Sequence, residues 1–211
     1  MVWQSPKFPS RNFWYAWNIL NFGISQLFDW RVSGREHIPT RGPLLVASNH
    51  IALLDPPYVG ASLTREACFV AKKELFAFAP LGAFISSFNS IPIRRGGWDS
   101  GAIRSVRRKL EQGWPVIMFP EGTRSRIGDF LPAKPGVGMM ARQCRVPVVP
   151  AYIEGTNRDL PTLLAKRRPL ISAFGPAMPV EEVCRYPDNK RGYQELSLAI
   201  MDRIKAVRDS L

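Results

Sequence analysis

The sequence predicts an α/β domain, and three observations carry that expectation. From position 40 onward, short apolar runs alternate with stretches of helical periodicity, the pattern of a sheet covered by helices. The 211 residues are enough to bury one full core, so a single domain accounts for most of the chain. A composition of 45% hydrophobic and 22% charged residues belongs to a globular protein rather than to a disordered or fibrous one.

Residues 1–40 form a separate N-terminal segment, with 41–211 as the α/β domain. Four of the six tryptophans (Trp3, Trp14, Trp17 and Trp30) fall in it, and nothing between Arg11 and Asp29 is charged. On a helical wheel Phe13, Trp17, Leu20, Ile24 and Leu27 make one apolar stripe, while Asn18, Asn21 and Ser25 gather elsewhere. The uncharged stretch of about 17 residues is short of the roughly 20 that a spanning helix needs. An amphipathic helix lying in a membrane interface fits better, because indole rings favour the headgroup level and Lys7, Arg11, Arg31 and Arg35 flank the segment. The alternative is a helix whose stripe faces the domain core. No small-residue cleavage site follows the apolar run, which argues against a cleaved signal peptide.

Along the domain the candidate strands are Leu44–Ser48, Ala67–Ala71, Ser90–Ile93, Val116–Phe119, Val146–Ile153 and Leu170–Phe174. Helices fill the gaps. Asp55-Pro56 opens one, with the proline at a position that needs no amide donor. Another runs from Asp99 or Ser100 to about Gln112 and stops at Gly113; a third starts after Lys134, and a terminal helix covers about Tyr193 to Ser210. Pro161–Pro169 and Tyr186–Gly192 read as surface loops.

Twenty-nine Lys and Arg against 17 Asp and Glu leave a net charge of +12, which calls for an anionic partner: nucleic acid, an acidic membrane leaflet or phosphorylated substrates. Nucleic acid is the poorest of these, because the basic clusters at Arg104–Lys109 and Lys166–Arg168 lack interleaved aromatics and no reading motif is present. Cys68, Cys144 and Cys184 are odd in number and widely spaced, which fits neither a disulfide framework nor a zinc site.

Four blocks carry chemistry. In the first, Asn49-His50-Ile51-Ala52-Leu53-Leu54-Asp55-Pro56, an imidazole stands at a strand end with a carboxylate five residues on. Histidine takes and returns a proton near neutrality, and a carboxylate on its second nitrogen would fix the tautomer. Asp55 is equally suited to capping the helix that follows, its remaining target there being the Tyr58 amide, and the two roles are compatible. His37 sits in a loop without such a setting.

The second, Phe119-Pro120-Glu121-Gly122-Thr123-Arg124-Ser125, directly follows a strand, where ligands of open α/β sheets collect. Gly122 permits close backbone approach, Arg124 offers a fork for phosphate oxygens, and Glu121 could bond substrate hydroxyls or anchor an arginine. In Ser90-Ile91-Pro92-Ile93-Arg94-Arg95, strand alternation puts Arg95 with Ile91 and Ile93, and Pro92 confines the run to an edge. Lys134 adds positive charge. Val146-Pro147-Val148-Val149-Pro150 has a strand's composition with prolines a regular central ladder would not tolerate, so it must border something irregular.

In this order the blocks resemble the glycerolipid acyltransferases, specifically the 1-acyl-sn-glycerol-3-phosphate (lysophosphatidic acid) acyltransferase family, over roughly residues 40–156. His50 through Asp55 is similar to the family's His-x-x-x-x-Asp motif, and Phe119 through Ser125 matches its Phe-Pro-Glu-Gly-Thr-Arg-Ser motif throughout. The Ser90 block departs from Gly-x-Ile-Phe-Ile-x-Arg at Asn89, Pro92 and Arg94, while Arg95 falls on the family arginine. The resemblance implies a mixed central sheet flanked by helices and an N-terminal two-helix membrane-binding element. It implies acyl transfer from acyl-CoA or acyl carrier protein to the sn-2 hydroxyl of lysophosphatidic acid, giving phosphatidic acid at the cytoplasmic face of an anionic membrane. His50 would be the general base and Asp55 its orienter, with Arg95, Glu121, Gly122, Thr123, Arg124 and Lys134 binding substrate and no metal or cofactor. The altered Ser90 block leaves another lysophospholipid or an amino-lipid open as acceptor. Leu75–Phe88 would serve as an acyl-chain wall or as ordinary core.

Overall fold

Leu44–Ser48 is buried along its whole length, as a strand covered on both faces must be. In the computed structural model, which describes residues 18, 21–72, 90–93, 100–126, 128–166 and 168–211, it is the middle strand of one sheet. The strands are β1 (Trp30–Ser33), β2 (Leu44–Ser48), β3 (Cys68–Lys72), β4 (Ile91–Ile93), β5 (Pro115–Met118), β6 (Val148–Glu154) and β7 (Leu170–Phe174). Their order is β1-β7-β6-β2-β5-β3-β4, and neighbours run parallel except for the antiparallel pair β6 and β7. The sheet is therefore mixed.

Period-two alternation sends side chains to two cores. Leu45 and Ala47 of β2, with Val116 and Met118 of β5, pack under three helices: α3 (Ser100–Glu111), α4 (Gly136–Cys144) and α7 (Lys190–Asp209). Leu44, Val46 and Ile117 face the other way, against α2 (Asp55–Ser62) and, at the edge of that cluster, Ile24 and Phe28. Ile24 belongs to helix α1, residues 21–27. Of the apolar stripe expected there, Ile24 turns to the domain while Leu27 is 54% exposed, with Phe22 also exposed. Residues 1–17, 19 and 20 lie outside the described part. No described helix is long and apolar enough to cross a membrane.

Three elements differ from the sequence expectation. Trp30–Ser33, assigned there to the N-terminal segment, pairs in parallel with β7 and so extends the sheet ahead of position 41. It is a four-residue strand with an alternating half-buried pattern, too short to stand out beside tryptophan and arginine. The segment read as a loop at Pro161–Pro169 contains part of a short helix, α5 (Leu160–Leu164), capped by the Asp159 carboxylate on the Thr162 amide. The loop expected over Tyr186–Gly192 ends early, because Asn189 caps α7 by accepting from the Gly192 amide at 3.0 Å. A further helical turn, α6 (Val180–Val183), lies between β7 and α7.

Pro92 sits on β4, an edge strand as its missing amide requires. The irregularity expected around Val146–Pro150 is a bulge. Val148 and Met178 exchange backbone hydrogen bonds, but the next register has Ala151 opposite Phe174, three steps against four. Pro150 falls within it and contributes only its carbonyl, which accepts from the Gly175 amide at 2.9 Å. A proline thus occupies a central strand without leaving a gap in a regular ladder.

Helices α4 and α7 pack closely at Gly138, whose amide donates to Ser197 Oγ at 2.9 Å. A side chain there would collide with the Tyr193 carbonyl oxygen, a backbone atom with no rotamer to yield. Gly138→Ala should lower the free energy of unfolding by about 2–3 kcal/mol, read as a reduced urea midpoint at unchanged slope.

Candidate active site

Strands β6, β2 and β5 lie side by side and parallel, so the segments leaving their carboxyl ends meet at one place. Asn49-His50 follows β2, Phe119 through Arg124 follows β5, and Gly155-Thr156 follows β6. Asn49 joins two of these. It is buried, and its amide group donates to the Ile153 carbonyl at 2.9 Å while accepting from the Ile153 amide at 2.8 Å, which fixes where the chain turns out of the sheet.

His50 Nδ1 lies 2.7 Å from Asp55 Oδ2, and the same oxygen accepts from the Ile51 and Ala52 amides at 2.6 and 2.7 Å. Asp55 Oδ1 accepts from the Thr156 hydroxyl at 2.5 Å. The Asp55 side chain is fully buried, whereas that of His50 keeps 17% of its surface exposed. An ionised carboxylate can only accept, so Nδ1 carries the hydrogen and Nε2 presents the lone pair. The ring stacks on Phe119 with centroids 4.1 Å apart and planes at 21°, which limits its rotation. The result is an imidazole of fixed tautomer and orientation.

Asp55 does not cap its helix forward onto the Tyr58 amide, which instead donates to the Leu54 carbonyl at 3.0 Å. Helix α2 begins at Asp55 after Leu54, and the carboxylate turns back over the preceding loop. Glu121 also differs from its sequence assignment to substrate. It is 1% exposed, with Oε1 accepting from the His50 amide and Oε2 from the Leu131 amide, both at 2.9 Å. Its carboxylate is committed to the backbone, and it positions the histidine loop against the turn after β5. The Ser125 amide completes that junction by donating to the His50 carbonyl at 2.7 Å.

Gly122 adopts the left-handed conformation at φ 65°, with the Lys134 side chain alongside it. The Lys134 amide donates to the Pro120 carbonyl at 2.8 Å, which brings the lysine to this turn. Thr123, Arg124 and Lys134 are exposed, and the two cations form no ion pair among the described residues. Arg95 and Leu75–Phe88 lie outside the described residues. Burial pushes the Cys68 thiol up to about 12 and the Cys144 thiol upward as well, which disfavours their thiolates. Among the described residues no group of His, Cys, Asp and Glu is arranged to hold a metal ion.

Thr156 and Phe119 have site contacts that the sequence reading did not assign. Phe119 lay inside a recognised block, but its stacking depends on the loop that carries His50. Thr156 is 101 residues from Asp55 in sequence and carries no local signal for their contact.

Residues 29–154 match the family model described as "Acyltransferase". The 1-acyl-sn-glycerol-3-phosphate acyltransferase BAT2, chloroplastic, of Brassica napus is 32% identical over 145 residues, 67% of this chain and 42% of that protein. The chain thus spans less than half of that plant relative. The 1-acyl-sn-glycerol-3-phosphate acyltransferase of Bacillus subtilis is 25% identical over 182 residues, 86% of this chain and 89% of that one. The crystal structure of the 1-acyl-sn-glycerophosphate (LPA) acyltransferase PlsC from Thermotoga maritima superposes with a TM-score of 0.67 at 24% identity, covering 94% of this chain and 84% of its own, and shows the same fold.

Burial raises the Glu121 pKa above the ordinary 4.5, against the opposing pull of the Leu131 and His50 amides. A carboxyl with a higher pKa folded than unfolded holds its proton more tightly in the folded state. Its contribution to stability is therefore fully present below 4.5 and is lost as pH rises through the raised value. In Glu121→Gln one backbone donor faces an amide NH2 instead of an oxygen. The variant should be less stable by about 1–3 kcal/mol, with the deficit narrowing in urea unfolding as pH rises above the ordinary carboxyl value.

Proposed function

Because residues 29–154 match its model, this chain belongs to the acyltransferase family, and we propose that it transfers an acyl chain from a thioester, acyl-CoA or acyl carrier protein, to the sn-2 hydroxyl of 1-acyl-sn-glycerol-3-phosphate, forming phosphatidic acid. The observation that carries this reading is the His50 and Asp55 pair, with Nε2 of the imidazole unpartnered among the described residues and with exposed Arg124 and Lys134 at the neighbouring Gly122 turn. The relatives' names supply the substrate class.

In the proposed reaction Nε2 of His50 takes the hydroxyl proton as the oxygen attacks the thioester carbonyl carbon. The C–O bond forms, the C–S bond breaks, and the imidazolium returns the proton to the departing thiolate. Asp55 steadies the imidazolium throughout. No acyl-enzyme, metal or resident cofactor takes part. Arg124 and Lys134, with Arg95, bind the phosphate of the acceptor, and guanidinium geometry suits the arginines to two phosphate oxygens at once. The Gly122 amide donates to the Phe119 carbonyl at 3.0 Å, and backbone amides near this turn or at a helix start stabilise the oxyanion.

The same reading puts the protein on the cytoplasmic face of an anionic membrane, held peripherally or monotopically by its N-terminal segment. The +12 charge and the exposed Phe22 and Leu27 of α1 support that placement.

His50→Ala should lower phosphatidic acid formation by at least about 10³-fold while leaving thermal stability and vesicle binding near wild type; near-wild-type turnover would exclude the mechanism. Arg124→Ala should raise the KM for lysophosphatidic acid by about 10-fold or more. An unchanged KM would remove Arg124 from the phosphate site. Mass analysis of products from a panel of lysophospholipid and amino-lipid acceptors identifies the preferred head group.

A further inference from the structure

We propose that Thr156 is a positioning residue of the active site: its hydroxyl holds the outer oxygen of Asp55 and thereby sets the basicity of His50. The role rests on the acyl-transfer reading for its catalytic consequence, but its electrostatic part stands on geometry alone.

Among the described residues, Asp55 Oδ2 has three donors, His50 Nδ1 and the Ile51 and Ala52 amides, while Oδ1 has one, the Thr156 hydroxyl. The carboxylate is fully buried, so an oxygen deprived of that donor has no water to replace it. The turn that delivers Thr156 is itself built. Gly155 takes a left-handed conformation at φ 94°, and a side chain there would press on the Pro169 carbonyl. Arg158 closes the turn: its amide donates to the Gly155 carbonyl at 3.1 Å, and its guanidinium bonds the Pro169 carbonyl at 2.6 Å and Glu154 at 2.5 Å. From the opposite side Asn49 grips Ile153, so the end of β6 is fixed both before and after the threonine's turn begins.

A hydroxyl donating to Oδ1 draws charge from the carboxylate. Removing it leaves more negative charge at Oδ2, next to the imidazole, which favours imidazolium and raises the pH at which His50 becomes a free base. Among the described residues, the other charged or titratable groups around the pair are the buried Glu121, the Tyr58 phenol on α2, the Glu154–Arg158 pair beside the turn, and Arg124 and Lys134 near Gly122. All of these remain when only the hydroxyl is removed. Thr156→Val preserves the shape and deletes the donor; Thr156→Ser keeps it.

The chain has two histidines, His37 and His50, so an imidazole NMR titration resolves both, with His50→Ala assigning the signal. In Thr156→Val the His50 titration should move to higher pH, His37 should stay in place, and Thr156→Ser should restore the wild-type curve. Matching this, kcat for phosphatidic acid formation should drop about tenfold in the valine variant, with its acidic limb displaced upward and the KM for the acceptor unchanged. An unmoved His50 titration in Thr156→Val, or a displaced one that serine does not restore, overturns the proposal. The titration needs no substrate, so its failure is distinct from a failure of the acyl-transfer reading, which shows as absent product in the wild type.

Discussion

The rest of the site depends on one buried carboxylate. A fully desolvated Asp55 is tolerable only when its charge is met by donors, and four converge on it from the histidine loop and from the turn after β6. Each of those donors is thereby fixed in place. The imidazole keeps 17% of its side-chain surface exposed, with its tautomer settled and its ring clamped against Phe119. Placing a charge in the interior is costly for stability, yet it converts a flexible side chain into an oriented imidazole, the base of the proposed reaction.

The sheet makes that arrangement possible. Parallel neighbours β6, β2 and β5 deliver three loops to one edge, and buried polar side chains tie them together: Asn49 across to β6, Glu121 across to the histidine loop. These contacts bond backbone groups that would otherwise be unsatisfied where strands end. The exposed cations of the Gly122 turn are left outside this network, where an anionic head group can reach them in the proposed reaction.

Much of this was legible in the sequence, and the limits have physical causes. The doubly buried strands at Leu44 and Val116 appear as continuous apolar runs, and the acceptor-to-glycine span of α3 is a local signal. Trp30–Ser33 and the Asn189 cap were lost because one is short and half-buried and the other lies inside a run that reads as loop. At the site, the pairing of His50 with Asp55 follows from spacing, but the direction of Asp55 does not: a carboxylate at a helix start is as suited to capping forward as to reaching back. Glu121 reads as a ligand residue until its burial is known. Thr156 reaches Asp55 only through the adjacency of β6 and β2, information that no short stretch contains.

The most direct test of the central claim is the rate of phosphatidic acid formation by Asp55→Asn, a change that keeps size and removes the charge. If the buried carboxylate fixes the tautomer and steadies the imidazolium, the variant should fold, bind vesicles as the wild type does, and transfer acyl chains about 10³-fold more slowly or worse. A folded Asp55→Asn protein within about tenfold of the wild-type rate would contradict it.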